Sequence, residues 1–129
     1  MKALAEIKND VGSIGVLSDW LGIGLKPVSQ EHAEARASIC VSCPMNSKDH
    51  WWHTLKTEVA LEIRKQAGLK NKLKLNTSHD QAIGECRVCS CVLLLLCWVP
   101  TNILKEREPP ERLTEYPEHC WKRKELEAT

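Results

Sequence analysis

Apolar residues recur at three- and four-residue intervals near the start of the sequence: Leu4, Ile7, Val11, Ile14 and Leu17. That stripe predicts one or two amphipathic helices between Lys2 and Leu21. Gly12, Gly15, Gly22 and Gly24 weaken the pattern, and GIGLKP, with Pro27, ends it. A second helix is predicted in SQEHAEARASIC, where Ser29 is a good N-cap and Glu31 suits the positive end of the helix dipole. It delivers Cys40 near its end. CPMNSKDH follows as a turn-rich connection. The clearest helix is WWHTLKTEVALEIRKQAG, with Trp52, Leu55, Val59 and Ile63 on one apolar face and Gly68 where a left-handed C-terminal cap belongs. LKNKLKLNTSHD is polar and irregular, with a short extended piece at Lys72 to Leu75, and Ser78 is placed to cap a brief helical turn before Gly84. The run Val92 to Val99 is wholly apolar and reads as a buried or partner-facing strand or helix, ended by Pro100. Thr101 to Arg107 reads as one or two helical turns, EPPERL as a rigid corner, and YPEHCWKRKELEAT as a helical turn that frays.

These elements predict a mainly α fold: a small metal-stabilised domain with a cysteine knuckle and at most a short β element. One domain is expected over residues 1–129, with an N-terminal helical arm (1–26), a metal-stabilised core (27–121) and a tail (122–129). Composition sharpens this. The chain has no Phe, one Tyr, five Trp and seven Cys, so leucines and cysteines must do much of the packing. A net charge of +1 does not advertise nucleic acid or an anionic membrane. The apolar run is far short of the roughly 20 residues a membrane helix needs. MKALAEIKNDVGSIG carries no secretory signal, since Glu6, Lys8 and Asp10 interrupt it. Clustered thiols without an export signal point to a reducing compartment and to metal binding. The odd count argues against a full disulfide framework. A virion component is the exception, because it leaves the cell without a signal.

Cys40 and Cys43 form one C-x2-C pair, and Cys86 and Cys89 form another. Two intervening residues let the backbone curl so that both sulfurs converge, while amide N–H groups in the turn can donate to the thiolates. Two pairs supply the four sulfurs of a structural zinc site. Gly84 suits the tight turn before the second pair. Cys91 and Cys120 also have claims, so four ligands are expected from Cys40, Cys43, Cys86, Cys89, Cys91 and Cys120. Cys97 reads as a small core residue. Zn²⁺ is the expected metal. A [4Fe–4S] cluster, which also takes four thiolates, is the alternative, and Cys43-Pro44 resembles the Cys-Pro of ferredoxin-type sites. Without metal, the thiols would be buried or would pair on oxidation.

Other chemistry is sparse. His79, before Asp80, and His119, beside Cys120, are candidate ligands or bases but read more simply as capping or surface residues. There is no phosphate loop, no G-x-S-x-G and no H-E-x-x-H, so no enzyme is expected. Glu31 and Glu34 read as solvated helix faces. Arg64, Lys65, Lys70, Lys72 and Lys74 form a basic stretch that either contacts phosphates or simply ends a helix. Trp51, Trp52, Leu94, Leu96 and Trp98 are candidate interaction residues, and Trp20 and Trp121 are candidates either as interface anchors or as core.

The order Arg36, Cys40-x2-Cys43-Pro44-x-Asn46, Thr77 to Asp80, Gly84-x-Cys86-x2-Cys89-x-Cys91, Pro100 and Cys120-Trp121 resembles a small cysteine-rich family associated with bacteriophages and prophages. The resemblance spans residues 36 to 121 and implies metal binding in a phage setting, with no activity attached. This sequence departs from the pattern at Leu93 to Leu96, where polar residues would alternate. The expected role is a structural metal-binding interaction protein, a minor tail or capsid component located in the virion or the host cytoplasm, working with protein partners in a homo-oligomer or larger assembly. The alternatives are a small zinc-dependent nucleic-acid-binding or regulatory protein and an iron–sulfur redox protein.

Overall fold

Ser29 starts the first complete helix, as its chemistry predicts: its hydroxyl accepts the His32 amide at 3.1 Å, and α1 runs Gln30–Val41. The computed structural model describes residues 16, 18–47, 53–89 and 91–128, with backbone alone for 53–57. Trp51, Trp52, the side chain of Leu55 and the whole N-terminal stripe therefore lie outside the described residues. The segment before α1 is helical up to Gly22 and turns at Ile23 and Gly24. Trp20 is fully buried there and donates its indole N–H to the Lys26 carbonyl at 2.8 Å.

After α1 come β1 (Asn46–Ser47), α2 (His53–Asn71), a 3₁₀ turn (Asp80–Ala82), β2 (Glu85–Cys86), α3 (Leu93–Leu96), α4 (Thr101–Arg107), a second 3₁₀ turn (Pro110–Glu115) and α5 (Trp121–Glu127). The two strands pair antiparallel, with Asn46 opposite Cys86 and Ser47 opposite Glu85. The fold is mainly α with one short sheet, as the patterning predicts. Among the described residues, no helix is long and apolar enough to cross a membrane.

The apolar run resolves as a helical turn. Leu96 donates to the Val92 carbonyl at 2.9 Å and Cys97 to the Leu93 carbonyl at 3.2 Å. All four leucines are buried, as a turn that is apolar on every side must be. α1 packs through Ala33, Arg36, Ala37 and Cys40. That is one helical face, but its residues are two alanines, a cation and a thiol, so hydropathy does not reveal it. Of the face predicted for α2, Ile63 packs against the core but Val59 is 52% exposed, and Ala60 and Ala67 are buried beside Ile63. EPPERL is a 3₁₀ turn with proline at its start, and Ser78 caps nothing; its amide and hydroxyl bond Glu34 at 2.7 and 2.8 Å. Glu34 is therefore, on its exposed helix face, also a clamp on the Thr77–Asp80 turn. The expected fraying tail is α5, with Trp121, Lys122 and Leu126 buried.

The end of α2 corrects the reading of Gly68. The helix continues to Asn71, and Lys72 takes the left-handed position at φ 56°. Leu73 N–H reaches back to the Gly68 carbonyl at 2.8 Å and Lys72 N–H to Leu69 at 3.3 Å, the paired bonds of a Schellman end. A Cβ on Gly68 would stand 2.6 Å from the Leu73 carbonyl oxygen. Gly68→Ala should therefore cost about 1–3 kcal/mol of overpacking, less the helix propensity gained. Lys72→Gly should gain roughly 0.5–1 kcal/mol by removing the left-handed penalty. Urea melts of the two variants should move in opposite directions.

Candidate metal centre

Three segments carry the cysteines to one place. α1 ends with Cys40, whose carbonyl accepts the Cys43 amide at 3.1 Å, and the Cys43 carbonyl accepts the Asn46 amide at 3.0 Å. The chain thus curls twice and enters β1. In the second loop the Cys86 amide donates to the Cys91 carbonyl at 3.0 Å, and Arg87 N–H crosses to the Met45 carbonyl at 2.8 Å. The third segment is the start of α5, where Cys120 is the N-cap.

Asn46 holds the first two loops together. Its amide oxygen accepts from Gly84 N–H at 2.8 Å, and its NH₂ donates to the Ala82 carbonyl at 2.9 Å. Sequence reading gave Asn46 no role of its own. The usable signal was a short amide side chain directly after a C-x2-C-P turn.

Cys40, Cys43, Cys86, Cys89 and Cys120 line one cavity of about 20 Å³. Cys91 does not; its thiol lies beside Cys89, approaching that residue's carbonyl at 3.8 Å and also its sulfur. Cys97 is core as expected, and its thiol lies close enough to Cys40 to lower that residue's pKa. All seven cysteines are free thiols. Among the described residues, no group of three or more His, Cys, Asp or Glu side chains could hold a metal ion as placed. Five cysteines nonetheless border one small space, and thiolate is the donor that structural zinc and iron–sulfur sites use.

The electrostatics favour thiolates at chosen positions. Cys89 is held well below the ordinary thiol range, chiefly by the Cys86 thiol and then the Cys91 thiol. The Lys122 ammonium helps, while burial opposes. Cys86 is pushed up in turn because it keeps the proton it donates to Cys89, and burial adds to this; the Cys89 and Val88 amides act the other way. Cys40 is lowered, first by the Cys97 thiol and also by Trp121, whose indole N–H reaches its sulfur at 3.2 Å. Burial raises Cys120, against the amides of Arg123 and Lys122.

Two buried cations flank the thiols. Burial works against the Lys122 ammonium, but Cys89, Cys91 and Glu108 outweigh it and raise its pKa above the usual lysine range. It bonds Glu108 at 3.0 Å and the Tyr116 hydroxyl at 3.1 Å. Arg36 stacks over Trp121 at 4.2 Å.

The remaining candidates scatter. Arg64 is paired with Asp80 at 3.0 Å and donates to the Leu94 carbonyl at 3.3 Å. Lys65, Lys70, Lys72 and Lys74 are exposed. His79 is half-buried and His119 exposed, and neither lines the cavity. Leu94, Leu96 and Trp98, read as interaction residues, are buried inside this chain at 8, 4 and 1% exposure. Among the described residues, the exposed large apolar side chains are instead Leu21, Ile23, Val41, Val59, Leu61, Leu69 and Leu73. No family model, curated protein or solved structure matches the chain.

Proposed function

We propose that this is a structural metal-binding interaction protein whose thiolate centre fastens three chain segments into one domain. The observation that carries the reading is the convergence of five cysteines, from the end of α1, the β2 loop and the start of α5, on one cavity. Four of them would hold the metal as thiolates. Coordination would supply folding free energy to a core without Phe. The role is to keep a surface in shape for protein partners, in a phage-type assembly such as a tail or capsid. Exposed Leu61, Leu69 and Leu73 alternate with Lys65, Lys70, Lys72 and Lys74 around the end of α2. A cationic surface broken by leucines suits a protein partner better than a continuous phosphate backbone.

Chelation tests the centre. A strong chelator should remove much of the far-ultraviolet helical signal and expose all seven thiols to a thiol reagent, and returned metal should reverse both. Full thiol reactivity in the freshly purified protein, with the helical signal unchanged by chelator, would contradict the reading. Stoichiometric recovery in purified particles tests the assembly role, and consistent absence from every particle fraction would count against it.

A further inference from the structure

We propose that the groove at the end of α2 docks a short acidic segment of a partner protein that carries apolar anchors, an inference that rests on the interaction reading and names the partner's chemistry. Local backbone geometry builds the groove. Leu61, Lys65 and Leu69 recur every four residues, which sets them along one side of α2 over about 12 Å. The helix end then turns the chain back, with Leu73 N–H on the Gly68 carbonyl at 2.8 Å, so that Leu73, Lys74 and Leu75 complete the lining. The space enclosed is about 380 Å³, within the roughly 300–1,000 Å³ of ordinary binding pockets.

Apolar contact and charge point to the same occupant. Leu75 and Gly68 are the buried members of the lining, whereas Leu61, Leu69 and Leu73 are 37, 66 and 56% exposed. Three leucines open to water around one concavity offer anchor contacts to another chain. Lys65 and Lys74 line the groove and are exposed, and among the described residues no carboxylate lines it. Arg64 is already committed to Asp80 at 3.0 Å. Glu62 stays outside the lining, bonded to Gln66 at 3.0 Å. The two lysines therefore attract Asp and Glu and disfavour a basic segment. They also disfavour a second copy of this chain, because a two-fold pairing would set the same lysines against each other.

The test is selection of a displayed library of random peptides on the full chain, with counter-selection on the variant carrying Leu69→Glu and Leu73→Glu. Both side chains are more than half exposed, and a circular dichroism melt matching wild type checks that the variant folds. Enriched peptides should be net acidic, with apolar residues among the charges. One of them, resynthesised, should bind wild type at least about tenfold more tightly than that variant. Lys65→Glu with Lys74→Glu should also weaken it and remove most of its salt dependence. Enrichment of basic or uncharged peptides overturns the proposal, as does enrichment that ignores the groove. With no peptide selected, a wild-type dimer that Leu69→Glu dissociates assigns the groove to a second copy. Oligonucleotide binding lost in the lysine variant assigns it to nucleic acid, and either result overturns the acidic partner. If the chain is still recovered in purified particles, the acidic partner alone falls; absence from particles as well takes the interaction reading with it.

Discussion

Replacing Cys86 and Cys89 together by serine should abolish metal binding and unfold the protein. Four ligands drawn from Cys40, Cys43, Cys86, Cys89 and Cys120 must include at least one of this pair. Binding at structural thiolate sites contributes on the order of 10–16 kcal/mol. That matches or exceeds the roughly 5–15 kcal/mol by which whole domains are stable. The Asn46 bonds and the Arg36–Glu125 pair also fasten these segments, but their contribution is small beside that of a bound metal. The matched control is Cys91→Ser with Cys97→Ser. Both thiols are buried, so each serine should cost about 1–3 kcal/mol for a poorly paired hydroxyl, with metal retained. Circular dichroism melts and metal content read the two variants together. Equal losses in both would sink the assignment of ligands.

The contrast between those cysteines marks how far the sequence could be read. Spacing alone identified the two C-x2-C pairs, because that motif needs only local backbone geometry. It could not separate Cys91 from Cys89. Their separation depends on the chain direction after the knuckle, which is set by Leu93 N–H bonding the Gly84 carbonyl at 2.8 Å. The boundaries of α1 and α4 were legible for a similar reason: Ser29 and Pro100 act on their immediate neighbours. The leucine run stayed ambiguous between strand and helix. A segment buried on every side has no period, and only its neighbours decide its form.

Gly68 shows the opposite failure. Glycine near a helix end is ordinarily the left-handed residue. Here a lysine takes that strain, and the glycine serves a close backbone approach that becomes visible only once Leu73 folds back. The surface was misjudged through the same gap. Leucines in a row read as either buried or partner-facing; all four are buried, with α2 packed on them and Leu93 and Leu96 beside the cysteine cavity. Those exposed around α2, interrupted by lysines, read as an ordinary solvated helix.

Arg36 is the largest feature that hydropathy hides, and Arg36→Met should cost about 3–5 kcal/mol. The guanidinium is 1% exposed. It donates to both Glu125 oxygens at 3.0 and 2.8 Å, to the Cys97 and Val99 carbonyls at 3.0 and 2.8 Å, and to the Thr101 hydroxyl at 3.1 Å. Methionine fills comparable space but leaves a partly buried carboxylate and two carbonyls without their donor. Arg36→Lys should recover little, since one ammonium cannot reproduce five bonds laid out on a planar fork. Adding Glu125→Leu to Arg36→Met should restore part of the loss by removing the orphaned charge, a coupling that a double-mutant cycle in urea measures.

The same pair gives a pH dependence whose sign is fixed. Burial works against the Glu125 carboxylate, but Arg36 outweighs it and holds the group below its ordinary 4.5. The stabilisation is therefore full above the unfolded value and is lost as pH falls through the folded one. Wild type should exceed Glu125→Gln in stability near neutrality, and the gap should close on acidification below about pH 4.5. A gap that stays constant across that range would mean that the bonds to Thr101 and His32, rather than charge, hold the carboxylate in place. Trp121 lies between this ion pair and Cys40, with Arg36 on its face and the sulfur at its N–H. Arg36→Met should accordingly release metal to a chelator faster than wild type even in buffers where it stays folded. An unchanged release rate would confine Arg36 to the stability of the helices alone.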